Sequence, residues 1–71
     1  MMKDFKIGDL VEWRYEGGIA RGIIKKIITS EIVFKGYTVH ASRLEPQYLI
    51  QSTKTDHMAI HKGSALRKIN A

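Results

Sequence analysis

Three observations predict an all-β fold, a small barrel of five short strands with a short C-terminal helical turn. The phrase Phe5-x-x-Gly8-Asp9-x-Val11-x-Trp13 is a turn that launches a period-2 run, with Val11, Trp13 and Tyr15 on one face and Glu12 and Arg14 on the other. A Gly17-Gly18 reversal leads into a second β-type run containing Arg21-Gly22-Ile23-Ile24. Before the tail no 3.6-residue apolar pattern is sustained, and the glycines and Pro46 punctuate runs of β-type residues.

The elements follow in order. The first strand is expected over about Asp9 to Tyr15, with Asp9 bonding the backbone at the strand entry. The second runs from about Ile19 to Thr29. Its apolar residues come in pairs, Ile23-Ile24 and Ile27-Ile28, and so break strict alternation. A bulge or bend at Gly22 is the expected cause, since a glycine inside a strand often marks a close backbone approach at a barrel corner. After Thr29-Ser30-Glu31, a third strand begins at Ile32 to Phe34, breaks at Gly36 and resumes through Tyr37, Val39 and Ala41. Ser42 to Pro46 is a polar connection. Gln47 to Ser52 alternates, placing Tyr48 and Ile50 inward and Leu49 outward, and is the fourth strand. Thr53-Lys54-Thr55-Asp56 is a turn by composition. His57 to His61 is the fifth strand, with Ala59 and His61 opposite Met58 and Ile60. Ser64 is expected to cap a helical turn over Ala65 to Ile69 that sets Leu66 and Ile69 over one open end of the barrel.

Size and charge narrow the function. A chain of 71 residues has room for one domain, residues 1–71, and one small core. Such a chain buries roughly 60% of its unfolded surface, too little to build a deep enzyme pocket readily. Cysteine is absent, so disulfides and thiolate metal sites are excluded and stability must come from apolar burial. No stretch approaches the roughly 20 apolar residues that span a bilayer, and a soluble cytoplasmic protein is the expectation. The net charge is +5 and the pI near 9.8. The balance is −1 over residues 1–16, three Lys/Arg against four Asp/Glu, and +6 over the rest, nine against three. Any basic surface therefore belongs to the later strands and the tail.

Several phrases together resemble the hypervirulence-associated Tudor-like domain family. They are Phe5-x-x-Gly8-Asp9-x-Val11-x-Trp13, Gly22-x-Ile24, Lys35-Gly36-Tyr37, Ala41-Ser42, Pro46-Gln47-Tyr48-x-Ile50-x-Ser52, Lys54-Thr55 and Ala59-x-His61-Lys62-x-x-Ala65-Leu66. The resemblance covers most of the chain in order and implies a Tudor-like, SH3-like barrel. It supplies no ligand and no reaction. Leu49 stands where the family pattern leads one to expect a polar residue, an outward apolar side chain that could serve self-association.

The resemblance directs attention to aromatic residues, because Tudor barrels that read methylated lysine or arginine use a cage of about four rings held by cation–π attraction. Period-2 reasoning assigns Trp13 and Tyr48 to the core. Tyr15, Phe34 and Tyr37 remain near strand ends, with Arg21 close by, as the candidate ligand-binding surface. The competing reading is that these rings only pack at the rim. Basic residues support an alternative, a nucleic-acid-binding barrel using Lys25, Lys26 and Lys54, whose log affinity would fall with log salt at a slope of about −4 for four or five phosphates. A further alternative is a structural subunit that dimerises weakly through an edge strand and Leu49. His57 and His61 lie about 13 Å apart at strand rise, too far to share one ion, so no metal site is expected. No nucleophile has a base and an orienting partner, and Ser42, Ser52 and Ser64 have roles in turns and caps. The expected function is a non-catalytic module, without cofactor, that binds a protein or peptide through the barrel rim.

Overall fold

A computed structural model describes residues 5–69. The chain enters through a tight turn at Lys6 to Asp9. Gly8 adopts φ +96° there, Asp9 N–H donates to the Lys6 carbonyl at 3.0 Å, and Asp9 Oδ2 accepts the Lys6 N–H at 2.8 Å. This is the strand entry the Gly8-Asp9 pair predicts, with positive φ at the third residue of the turn where glycine is favoured. Strand β1 (Leu10–Tyr15) follows, then β2 (Gly18–Ile28), β3 (Ile32–Phe34), β4 (Tyr37–Val39), β5 (Gln47–Ser52) and β6 (Met58–Lys62). A 3-10 turn over Gly63–Ala65 leads to the two-residue strand β7 (Arg67–Lys68).

Five strands form one antiparallel sheet in the order β6-β5-β2-β1-β7, while β3 and β4 form a separate hairpin. Thus β1, β2, β5 and β6 make a meander, and the last strand crosses back to pair with the first. That arrangement is the SH3-like one. The membership of the sheet differs from expectation: the predicted third strand is a hairpin set apart, and the fifth place is taken by β7. Residues 67 and 68 lack the alternation that marks a strand, and their conformation follows from pairing with Glu12 and Val11.

The predicted helical turn sits two residues earlier than expected. Lys62 is its N-cap residue and no side chain caps it, so Ser64 does not play the role assigned to it. Leu66 is nevertheless buried, as the sequence predicts, because the turn delivers it in extended conformation beneath the sheet. Gly36 also does more than interrupt a strand. With Lys35 at φ 50° and Gly36 at φ 85°, the pair forms a two-residue hairpin loop of the type whose twist matches the flanking strands.

The doubled isoleucines of β2 have a cause three residues beyond Gly22. The pairing of β2 with β5 shifts between Ile24 and Lys26, leaving Lys25 as the extra residue of a bulge. Opposed residues in an antiparallel pair share a face. By register Ile24, opposite Ile50, faces the core; Ile27, opposite Tyr48, is on the same side but stays 37% exposed beyond it, and Lys26 opposite Leu49 and the buried Ile28 opposite Gln47 lie on the other. Gly22 supplies the close approach rather than the bulge: a Cβ there would lie 2.5 Å from Ile50 Cγ2 and 2.6 Å from the Gln51 carbonyl oxygen.

The core gathers Phe5, Val11, Trp13, Ile24, Tyr48, Ile50 and Leu66, with Ala20 and Ala59 packed against it. Phe5 meets Tyr48 edge-on at 5.2 Å, and the half-buried His61 ring lies 5.0 Å from Trp13. His61 thus packs on the core side of the sheet against the indole. Ile28 and Val39 are buried outside this cluster. By register Ile28 lies on the opposite face of the sheet with Leu49 and Ile60.

Candidate binding cleft beside the β3–β4 hairpin

The Lys35-Gly36 loop places Phe34 and Tyr37 opposite one another, and their rings meet edge-on at 6.2 Å. Lys35 Nζ stands 5.3 Å from the Phe34 ring centroid and donates to the Met58 carbonyl at 3.4 Å. A cation of the chain itself thus occupies a face of Phe34. Tyr37 is 53% exposed. Between the hairpin and the sheet lies an open cleft of about 280 Å³ lined by Tyr37, Thr38, Val39, His40, Gln47, Ile60 and Lys62.

Backbone bonding phase defines what the cleft offers. Ser52 N–H donates to the His57 carbonyl, so bonded pairs along β5 and β6 recur at Ile50 with Ala59 and Tyr48 with His61. Met58 and Ile60 then direct their N–H and C=O groups, and Lys62 its N–H, away from β5, toward the free edge of the sheet, while the Lys62 carbonyl enters the 3-10 turn. The Met58 carbonyl takes the Lys35 ammonium, which agrees with that phase. No described strand pairs with the Ile60 and Lys62 groups. On the hairpin, a two-residue loop makes Phe34 and Tyr37 a bonded pair, so Thr38 directs its own backbone groups away from β3. At the far end Gln47 Nε2 donates to the His40 carbonyl at 3.0 Å. The hairpin is tied to the sheet at both ends of the cleft, and β4 runs in the same direction as β6.

Charge at the cleft is mostly positive. Lys62 lines it, Lys35 closes one end, and Lys26 stands on the same face through the Lys26–Leu49–Ile60 row. The Glu31 carboxylate bears on it through His40, Oε2 lying 2.6 Å from His40 Nδ1. Elsewhere, the backbone N–H of Lys6 is the main cause holding the Asp9 carboxyl below its ordinary range, with Lys68 adding to it from 3.5 Å. Burial holds the His61 imidazole below the ordinary histidine value.

The four predicted ligand-binding residues do not form one group. Phe34 and Tyr37 come together. Tyr15 is 56% exposed at the end of β1, its ring folded over Gly17, and no ring contact joins it to either of them. Alternation sets Tyr15 on the Trp13 face, and it stands at the strand end where the strand outruns the core. Arg21 lies in mid-β2 opposite Glu12, its carbonyl accepting the Thr53 N–H. The three lysines of the nucleic-acid reading also occupy separate places: Lys25 in the bulge, Lys26 on the outer face and Lys54 in the β5–β6 turn. Leu49 points outward as expected and is half-buried beside Ile60. Ser42 and Ser52 accept the N–H groups of Glu45 and Lys54 and so serve turns. Among the described residues no three His, Cys, Asp or Glu side chains cluster as a metal site would require, and no helix is long and apolar enough to cross a membrane.

Sequence reasoning missed Thr38, Val39, Gln47, Ile60 and Lys62. Each reads as an ordinary strand residue, and only the strand order reveals which edge is open.

The topology and the core define a small barrel of Tudor type. A profile described as "Hypervirulence associated proteins TUDOR domain" matches residues 8–66, and the chain belongs to that family. No curated protein and no solved structure matches it. Membership agrees with an interaction module in general terms and names no ligand.

Proposed function

We propose that this protein is a non-catalytic module that binds a peptide or an extended segment of a partner protein, with the cleft between the β3–β4 hairpin and β6 as its working surface. The observation that carries the reading is the coincidence, in one open cleft, of an exposed ring at Tyr37, apolar Val39 and Ile60, and unpaired strand-edge groups. Such a mixture of an apolar floor with a few directional polar groups is what ligand-binding clefts present. Tyr37 anchors the ligand and Phe34 supports it from the side. A methylated-lysine cage fits less well, because Lys35 already stands over Phe34.

The test is an NMR titration of the full chain with a degenerate peptide pool and, separately, with single-stranded DNA and RNA. Peptides are expected to shift Tyr37, Thr38, Ile60 and Lys62, and Tyr37→Ala is expected to weaken binding about tenfold or more without lowering the melting temperature, as loss of an exposed anchoring ring should. Shifts confined to Lys25, Lys26 and Lys54 on adding nucleic acid, with a steep salt dependence, would favour the nucleic-acid alternative.

A further inference from the structure

Resting on that reading, we propose that the free edge of β6 takes an acidic, extended segment of a partner protein as an added strand, antiparallel to both β6 and β4. Strand addition to an open edge gains affinity from main-chain hydrogen bonds and specificity from alternate side chains. Ile60 presents a donor and an acceptor to such a strand and Lys62 a donor, the Lys62 carbonyl serving the 3-10 turn that it caps, and Thr38 presents both from the other wall. Lys35 and Gln47 hold the two walls in place at either end.

The choice of occupant follows from charge. Lys35 and Lys62 flank the edge and Lys26 stands two strands in on the same face, while the Glu31 carboxylate is already engaged by His40. Acidic side chains on the added strand would share the face of Ile60 and Lys62 and meet these ammonium groups, and the apolar side chains would alternate to the other face of the sheet. A second copy of the chain fits poorly, since pairing β6 with itself would bring two sets of these lysines together. Lysine at an edge is a common guard against self-pairing, and here it leaves the edge selective for the opposite charge. A nucleic-acid strand could meet the lysines, but its backbone carries no N–H donors to alternate with the edge carbonyls.

The experiment is amide hydrogen exchange, followed by NMR on the full chain, with an acetylated alternating Glu-Val peptide of about ten residues as the probe. Its Lys-Val counterpart and a single-stranded oligodeoxynucleotide are the controls. Saturation with the Glu-Val peptide is expected to slow exchange at Ile60 and Lys62 by more than about tenfold, the loss of solvent contact that a ladder bond imposes. Ala59 and His61, already bonded to β5, should change little. Reversing Lys26→Glu and Lys62→Glu, both at exposed positions, should reverse the preference toward the Lys-Val peptide. Glu-Val binding that shifts Tyr37 while leaving Ile60 and Lys62 unprotected would sink strand addition and spare the module reading. Absence of any peptide at the cleft would sink both. Displacement of the peptide by the oligonucleotide, or a dimer by light scattering whose interface protects the same two amides, would also overturn the proposal.

Discussion

At Gly22 the missing side chain is what lets β2 and β5 lie against each other, because a Cβ would fall 2.5 Å from Ile50 Cγ2 and 2.6 Å from a backbone oxygen. The backbone oxygen cannot rotate away, so the strands would have to part. Gly22→Ala is expected to cost about 1–3 kcal/mol, the usual range for overpacking, and chemical denaturation will measure it. His61 makes a second prediction at this scale. Burial disfavours its charged form, so the folded state binds the proton less readily than the unfolded chain does. Stability is therefore complete above the ordinary histidine pKa of 6.5 and declines as pH falls below it, until the lower folded value is passed. His61→Phe, which keeps a ring against Trp13, should flatten the part of the stability profile between neutral and mildly acidic pH; an unchanged slope would show that another group is responsible. Both effects were only partly visible in the residues. Glycine within a strand signalled close approach, and alternation with Ala59 placed His61 inward, but the indole as its partner depends on β1 and β6 meeting across the core.

The β3–β4 hairpin shows how an element is set by two residues and placed by others. Its loop demands positive φ at Lys35 and Gly36, and only glycine adopts that without strain. Gly36→Ala meets no steric obstacle, so its expected cost of about 1 kcal/mol is purely conformational. The loss should appear as faster exchange at hairpin amides before the sheet opens. The 3-10 turn provides the opposite case. Ser64 makes no capping bond, and Ser64→Ala should leave stability within about 0.5 kcal/mol, as for an uninvolved surface position. A loss near 1 kcal/mol in a thermal melt would restore the cap that the sequence suggests. The composition around residue 64 identified a turn correctly; its exact phase was decided by Leu66, which must reach the core.

For the whole molecule, the sheet closes through its C-terminal end. Leu66 is buried to 2% exposure in the same cluster as Val11 and Trp13, and β7 beyond it pairs with β1. Leu66→Ala is expected to destabilise the protein by about 2–5 kcal/mol, as for other buried leucines. In a domain of this size that is a large part of the total stability, and the variant should show a sharply lower denaturation midpoint. The loss should be global, with β1 and β2 amides exchanging together, because Leu66 belongs to the cluster that holds Val11, Trp13, Ile24 and Ile50.

Sequence alone determined the β-class, four of the strands of the main sheet and most of the core, since turn residues and period-2 burial are properties of neighbouring residues. Tertiary structure alone decided that β3 and β4 stand apart, that Arg67 and Lys68 complete the sheet, and that Tyr15 lies away from Phe34 and Tyr37. It also decided which edge is open. A free N–H or carbonyl is defined by the strand that does not lie beside it, and no local pattern of side chains records that.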